Sequence, residues 1–242
     1  MYKKIVGGYT IPGLKKLNTR EEVFNRIYET KFWTNNGRYD SVSGKGSTPY
    51  GSKVYTDKLS NYFNTRHGLS IFDAPCGDFS WMYDLIRNRN VTYIGGDICS
   101  SLIEKLRRTY NDYHFMKFDI CTDSFPIVDL WHCRHCFFHL SFRDIISALH
   151  NFANSRISYA LITTHFLPNT SIVDIDTGGF RPIDLRLEPI CLPEPMLWLE
   201  DFDMFVEGYD VPMCSGLWSR NDIISALKKS IDIEAITGLV IK

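Results

Sequence analysis

A chain of 242 residues, 44% hydrophobic and 23% charged, can bury a sizeable core without disulfide or metal staples. Its formal net charge of −1 supplies no bulk attraction to nucleic acid, and no apolar run reaches the roughly 18–20 residues that cross a bilayer. Seven scattered cysteines, an odd number, read as reduced thiols of a cytoplasmic protein, and the N-terminus lacks the apolar core of a signal peptide.

In chain order, Glu21 to Lys31 reads as a helix, with Thr19 as N-cap and Glu22 completing a capping box. Gly37 to Gly51 is a polar loop too rich in Gly and Ser for a regular element, and a second helix runs from about Lys53 to Arg66, closed by His67 and Gly68. Strands follow at Leu69–Asp73, Val91–Asp97, Tyr113–Asp119, Ile127–Cys133 and Ser158–Thr164. Helical sequence separates them up to Arg89, up to Tyr110 and from Ser141 to Phe152. That alternation predicts an α/β fold with a doubly wound, mostly parallel sheet. Residues 165–217 break the rhythm as an insertion over the top of the sheet. Within them Met196–Phe202 and Cys214–Ser219 suit an antiparallel hairpin that brings the sheet to seven strands. A helix at Asn221–Lys229 and one further strand end the chain. The whole reads as one domain, 1–68 being an N-terminal helical and loop extension that covers the ligand site of 69–242.

Ligands of such sheets bind at the carboxyl ends of the strands, so the acids there are the first candidates. Strand one ends in Asp73-Ala74-Pro75-Cys76-Gly77-Asp78, where a small residue and a glycine let the backbone approach a ligand closely. Strand two ends in Asp97, suited to accept hydrogen bonds from a ribose diol; Ile98 follows. Strand three ends in Asp119 and Ile120, suited to an adenine amino group and its ring. Acids at strand ends also cap the helices that follow, but three in succession with a glycine turn point to a nucleoside site. Of a G-x-G-x-x-G loop only Gly77 is present, which suits a nucleoside without a pyrophosphate, such as S-adenosylmethionine. Phe79 or Trp81 is placed to face its sulfonium; an ordinary core position is the alternative for Trp81.

The segments SIFDAPCGDFSWM, YIGGDI, DLWHCRHCFFHLS and ALITTHF resemble the cofactor motifs and strands four and five of class I methyltransferases. The likeness extends to one family of them, found alone or fused to glycosyltransferases. Its marks are Trp33, the loop Asp40-Ser-Val-Ser43-Gly44-Lys-Gly46-Ser47, Asn169 and Asp174 to Leu185 with Gly178 and Arg181, and Gly216-Leu-Trp218. The resemblance implies an S-adenosylmethionine cofactor held by Ser43, Gly44, Gly46, Ser47, Cys133 and Arg134 besides the strand-end residues. It also implies O-methylation of a glycan sugar, a deoxyhexose such as rhamnose, with a glycosyltransferase as partner. Where the family has CRDC, this chain has Cys133-Arg134-His135-Cys136.

Methyl transfer to oxygen needs positioning and a base for the hydroxyl proton. His135 and His139 lie just past strand four, and an imidazole with its ordinary pKa near ~6.5 suits the task. Plant-type O-methyltransferases carry a base histidine shortly before the next helix, which favours His139. A histidine satisfied by a backbone carbonyl is the structural alternative for each. His165, at the end of strand five, and Arg181, in the loop over the cleft, are the candidates for binding the acceptor. Cys133, Cys136 and His139 also have zinc-like spacing, but no second pair completes a site, so no metal is expected. An acceptor among small metabolites or RNA stays open, although Lys and Arg number 27 against 28 Asp and Glu, which suggests no basic stripe for RNA. A non-catalytic binding module of the same fold would be expected to lose Asp97 or Gly77, and both are intact. Oligomeric state stays open.

Overall fold

A computed structural model describes residues 4–5, 17–34, 37–167, 170–201, 204–206 and 209–229. Seven strands form its central sheet: β1 (Ser70–Asp73), β2 (Thr92–Asp97), β3 (His114–Lys117), β4 (Leu130–Cys133), β5 (Tyr159–His165), β6 (Leu197–Glu200) and β7 (Met213–Ser219). Their order is β3-β2-β1-β4-β5-β7-β6. β1 to β5 pair in parallel, while β7 runs antiparallel to both β5 and β6. The expected closing hairpin is therefore present, inserted with its second strand against β5. The chain reverses order at β1 and β4, which puts a crevice at the carboxyl ends of those two strands.

Alternation along each strand divides the apolar residues between two faces. Phe72, Trp131, Ala160, Ile162 and Trp218 pack with α5 (Phe142–Ala153) and α6 (Arg220–Lys229). Ile71, Leu130, Leu161 and Leu217 pack with α2 (Pro49–Asn64), α3 (Ser80–Ile86) and α4 (Ser100–Thr109). Helix α1 (Arg20–Glu29) belongs to neither layer and lies across the carboxyl ends. It begins with the capping box that Thr19 and Glu22 were expected to form. Its first residue, Arg20, donates to Asp119 after β3 at 2.9–3.3 Å and to Asp144 of α5 at 2.8 Å, so charge rather than apolar area fixes this end of the helix.

The structure corrects three boundaries. α2 starts at Pro49, not Lys53, because Thr48 caps it by accepting from the Gly51 N–H at 3.1 Å and proline suits the first turn. The Gly- and Ser-rich loop thus ends a turn earlier than its composition suggests, and it contains a 3-10 turn at Lys45–Ser47. β4 starts at Leu130 rather than Ile127: Asp129 turns back to take hydrogen bonds from the Ser70 N–H and hydroxyl, leaving Ile127 exposed. Short pairings of Lys4–Ile5 with Thr170–Ser171, and of Met204–Val206 with Tyr209–Val211, were not anticipated. The strand expected after α6 lies outside the described residues.

One core contact reaches the crevice directly. Trp131 of β4 is fully buried, and its indole N–H donates to the Ala74 carbonyl at 2.9 Å, fixing the turn that leaves β1. Trp131→Phe removes that donor and strands a buried carbonyl, which costs about 1–3 kcal/mol. Urea unfolding should register the loss as a lower midpoint at unchanged slope.

Candidate active site

The crevice is a cleft whose lining collects residues from every strand end from β1 to β4 and from the N-terminal segment. Asp73, Pro75, Cys76, Gly77 and Trp81 come from the β1 turn and α3; Asp97 and Ile98 from β2; Asp119 and Ile120 from β3; Arg134, His135 and His139 from the end of β4. Phe24, Tyr28, Trp33 and Ser47 close it from the opposite side. Twelve of the sequence candidates thus share one wall, and Ser47 faces them from the other side. Ser43, Gly44, Gly46, Ala74, Asp78 and Cys133 sit behind it as supports, and His165 and Arg181 do not reach it.

Asp97 is 3% exposed and takes two backbone donors, Gly77 N–H at 3.2 Å and Cys99 N–H at 3.0 Å. No cation bonds to it among the described residues. Burial therefore pushes its carboxyl up to about 6, against the pull of those two N–H groups. Asp119 also reaches the wall, but both of its oxygens are engaged by Arg20, and one also accepts the Cys121 N–H at 2.9 Å. A ligand amino group would share this carboxylate with Arg20, a partner that sequence reasoning missed.

Gly77 has φ +54°, and a Cβ there would stand 2.7 Å from the Ser43 hydroxyl oxygen. That hydroxyl accepts the Asp78 N–H at 3.0 Å and bonds to the Tyr28 hydroxyl at 3.2 Å, while Ser41 donates to the Asp78 carboxylate at 2.5 Å. Asp78 is thus a fastener between the 41–47 loop and the β1 turn rather than part of the wall. Phe79 is fully buried among Tyr83, Tyr93, Tyr110, Tyr113 and Phe115, so it is core and faces no ligand. Trp81 does face a cation, and it is the protein's own: the Arg134 guanidinium lies 4.9 Å from its ring and 4.8 Å from Tyr55.

Below the wall runs a buried polar floor. His132 donates from Nδ1 to Asp73 at 2.6 Å and accepts at Nε2 from the Tyr55 hydroxyl at 2.9 Å; Tyr93 donates to the second Asp73 oxygen at 2.8 Å. At the far end Arg134 forms a two-pronged bond with Asp201, Nε at 2.8 Å and Nη2 at 2.6 Å, and gives Nη1 to the Gly46 carbonyl at 3.0 Å. Burial favours a neutral Asp201, but the Arg134 charge and the hydrogen bonds from Arg134 and His135 hold it well below the usual carboxylate range. His135 shares the same carboxylate through Nε2 at 3.2 Å. Nothing in the sequence marked Asp201 or His132 as part of the site: the first lies at the end of the Met196–Phe202 strand of the insertion, the second inside a buried strand.

His139 gives Nδ1–H to the Gly179 carbonyl at 2.7 Å, which leaves Nε2 as a lone pair, and burial lowers its pKa to about 4. The ordinary value near ~6.5 therefore does not apply to it. His165 is fully buried on β5, takes the Ile183 N–H at Nδ1 at 3.1 Å and is likewise lowered to about 4 by burial. Arg181 is fully buried against the Phe142 ring, and burial lowers its pKa to about 10. Both were expected to touch an acceptor, yet each lies one layer behind Phe138 or Phe142, because the 172–193 segment folds into the core through Ile183, Leu185 and Ile190 instead of lying loosely on the sheet. Among the described residues no group of three or more His, Cys, Asp or Glu is placed to hold a metal ion, and no helix is long and apolar enough to cross a membrane.

Two solved structures share this architecture over most of their length. Magnesium protoporphyrin IX methyltransferase from Synechocystis PCC 6803 with bound S-adenosylmethionine matches with a TM-score of 0.52 at 10% identity, covering 83% of this chain and 98% of that one. The 1,6-didemethyltoxoflavin-N1-methyltransferase of Burkholderia thailandensis, with bound 1,6-didemethyltoxoflavin and S-adenosylhomocysteine, matches with a TM-score of 0.52 at 11% identity, covering 88% and 94%. The chain has the class I methyltransferase fold. At such identities the likeness is one of fold alone. Neither comparison with family profiles nor comparison with curated protein sequences gives a match.

The Gly77 turn yields a direct test. Gly77→Ala forces a side chain into left-handed backbone at a cost of about 1–2 kcal/mol and displaces Ser43. Urea unfolding should show that loss, and limited proteolysis should find the 41–47 loop cut faster than in the unaltered chain.

Proposed function

We propose that the chain is an S-adenosylmethionine-dependent methyltransferase that methylates a hydroxyl of a glycan sugar, a deoxyhexose such as rhamnose. The observation that carries the cofactor assignment is Asp97, a carboxylate buried in the cleft wall with two backbone donors and no bonded cation among the described residues. Such a group is best satisfied by neutral donors, which a ribose diol supplies, and it stands at the second strand of a sheet whose order matches the fold. Ile98 and Ile120 offer apolar contact to an adenine, and the Gly77 turn lines the cleft beside them. When bound, the cofactor supplies an electrophilic methyl group on a sulfonium. The chain's own contribution is to hold the acceptor oxygen in line, to exclude water with Tyr28 and Trp33, and to take up the hydroxyl proton at the end of β4. Two neutral imidazoles, His135 and His139, are placed there. The sugar acceptor, and a glycosyltransferase as partner, rest on the family resemblance of the sequence. A small metabolite is the second reading, favoured by the two enzymes that share the fold, whose names specify such acceptors. Incubation with methyl-labelled S-adenosylmethionine tests both: label should enter a rhamnoside, and label entering only a pool of small metabolites would replace the sugar.

Binding of S-adenosylhomocysteine should depend on pH in a defined direction. Ribose hydroxyls donate to ionised Asp97, whereas the ligand-free carboxyl holds its proton below about 6. Affinity should then be constant above that value and fall by up to about tenfold per pH unit below it. Calorimetry on Asp97→Asn should find this acid limb gone and binding weaker by roughly 1.5–3 kcal/mol throughout.

A further inference from the structure

We infer that Asp201 is a positioning residue that makes His135, rather than His139, the competent base of the cleft. The inference rests on the methyl-transfer reading and deepens it. Both imidazoles are pinned through one nitrogen to a protein acceptor, which leaves the other nitrogen as a lone pair. They differ in what the pin is. His139 is held by the Gly179 carbonyl, a neutral group. His135 is held by the Asp201 carboxylate, which is fully buried and pointed by its two-pronged bond to Arg134.

Taking up a proton changes the charge of each neighbourhood differently. Arg134, Asp201 and neutral His135 together are neutral, and protonating His135 makes the group singly positive with the carboxylate in contact. The cation that acts on His139 is Arg181, whose Nε and Nη2 have no hydrogen-bond partner among the described residues. Asp174 attracts that guanidinium without bonding to it. A proton on His139 thus adds a second positive charge beside one that is poorly compensated, in a site where like charges repel strongly. The rings of Trp33, Phe138 and Phe180 that surround His139 offer no carboxylate. The other charged or titratable groups that act on His135 are Arg134 and His132, both disfavouring its protonation, with Asp201 opposing them. His139 and His165 feel it in turn. The carboxylate plays the part of the acid in a Ser-His-Asp triad: it sets the tautomer and stabilises the imidazolium.

The surroundings leave the free nitrogen of His135 in a defined place. Its backbone is in the left-handed region, φ 55°, with its N–H given to the Thr163 hydroxyl at 3.1 Å. The Nδ1 edge faces Gly46, where a Cβ would stand 2.5 Å from that nitrogen, so the loop leaves room because it carries a glycine. In the transfer, the acceptor oxygen gives its proton to His135 Nδ1 as its bond to the methyl carbon forms. The carbon–sulfur bond breaks with its electron pair going to sulfur.

Long-range ¹⁵N–¹H correlation spectra of the [¹⁵N]histidine-labelled chain, free and with S-adenosylhomocysteine, test the inference without knowledge of the acceptor. His135 should be unprotonated at Nδ1 and protonated at Nε2, and it should titrate at higher pH than His139. An Nδ1–H tautomer, or titration below His139, overturns the inference in the unaltered protein. Asp201→Asn should shift the His135 titration to lower pH and Asp201→Glu should restore part of it; no shift in the first variant also overturns it. With p-nitrophenyl rhamnoside as probe, single-turnover transfer by Asp201→Asn should fall by roughly 10²-fold or more, its acid limb displaced downward. Absence of S-adenosylhomocysteine binding would strike the methyltransferase reading, whereas binding with the wrong tautomer strikes only this one.

Discussion

The guanidinium of Arg134 and the carboxylate of Asp201 meet where five segments of the chain converge, and the far end of the cleft depends on that ion pair. Withdrawing both charges from water costs several kcal/mol each, which mutual attraction offsets only when the geometry is good and the remaining donors are satisfied. Here both conditions hold. Two parallel bonds join the pair, the third Arg134 nitrogen meets the Gly46 carbonyl, and the flat cation rests against Tyr55 and Trp81. One side chain thereby ties the end of β4 to the glycine loop, to α2, to α3 and to the end of β6. Replacing either partner would leave the other charge buried and unpaired, the costly outcome for such pairs.

The polar floor formed by Asp73, His132, Tyr55 and Tyr93 continues this constraint from α2 through β4 and β1 to β2. Burial keeps the Tyr55 and Tyr93 phenols far above their ordinary range, so both remain neutral donors. Asp73 is therefore spent on structure while Asp97, one strand away, retains acceptor capacity. That division of labour between two neighbouring carboxylates is what separates a supporting residue from a candidate ligand-binding one. The same reasoning separates Asp119, largely occupied by Arg20, from Asp97.

Much of the architecture was legible because short apolar runs ending in an acid and a turn, and a cap residue followed three positions on by Glu, are local signals. The five parallel strands, the capping box at Thr19 and the closing hairpin follow from them. Legibility failed where distant residues decide the outcome. Nothing near Asp201 in sequence announces that it meets Arg134 and His135, and nothing near Arg20 announces Asp119. Phe79, next to the glycine turn, looked available to a cation but is drawn into an aromatic cluster by tyrosines from three other segments. His165 and Arg181 read as cleft residues by position, yet the apolar side chains of the 172–193 segment carry that stretch into the core, taking Arg181 with it and covering His165 on β5. The α2 boundary was lost for a local reason, since Thr48 and Pro49 were counted as loop composition instead of as a helix start.

The central claim is that S-adenosylmethionine lies along the carboxyl ends of β1 and β2, against Gly77, Asp97 and Ile98. Hydrogen exchange followed residue by residue, with and without saturating S-adenosylhomocysteine, tests that placement most directly. The account predicts slowed exchange at the amides of Gly77, Asp78 and Cys99 and in the 43–47 loop, with the β6–β7 hairpin unaffected away from Asp201. Unchanged exchange at those amides, or protection confined to another face of the sheet, would contradict it.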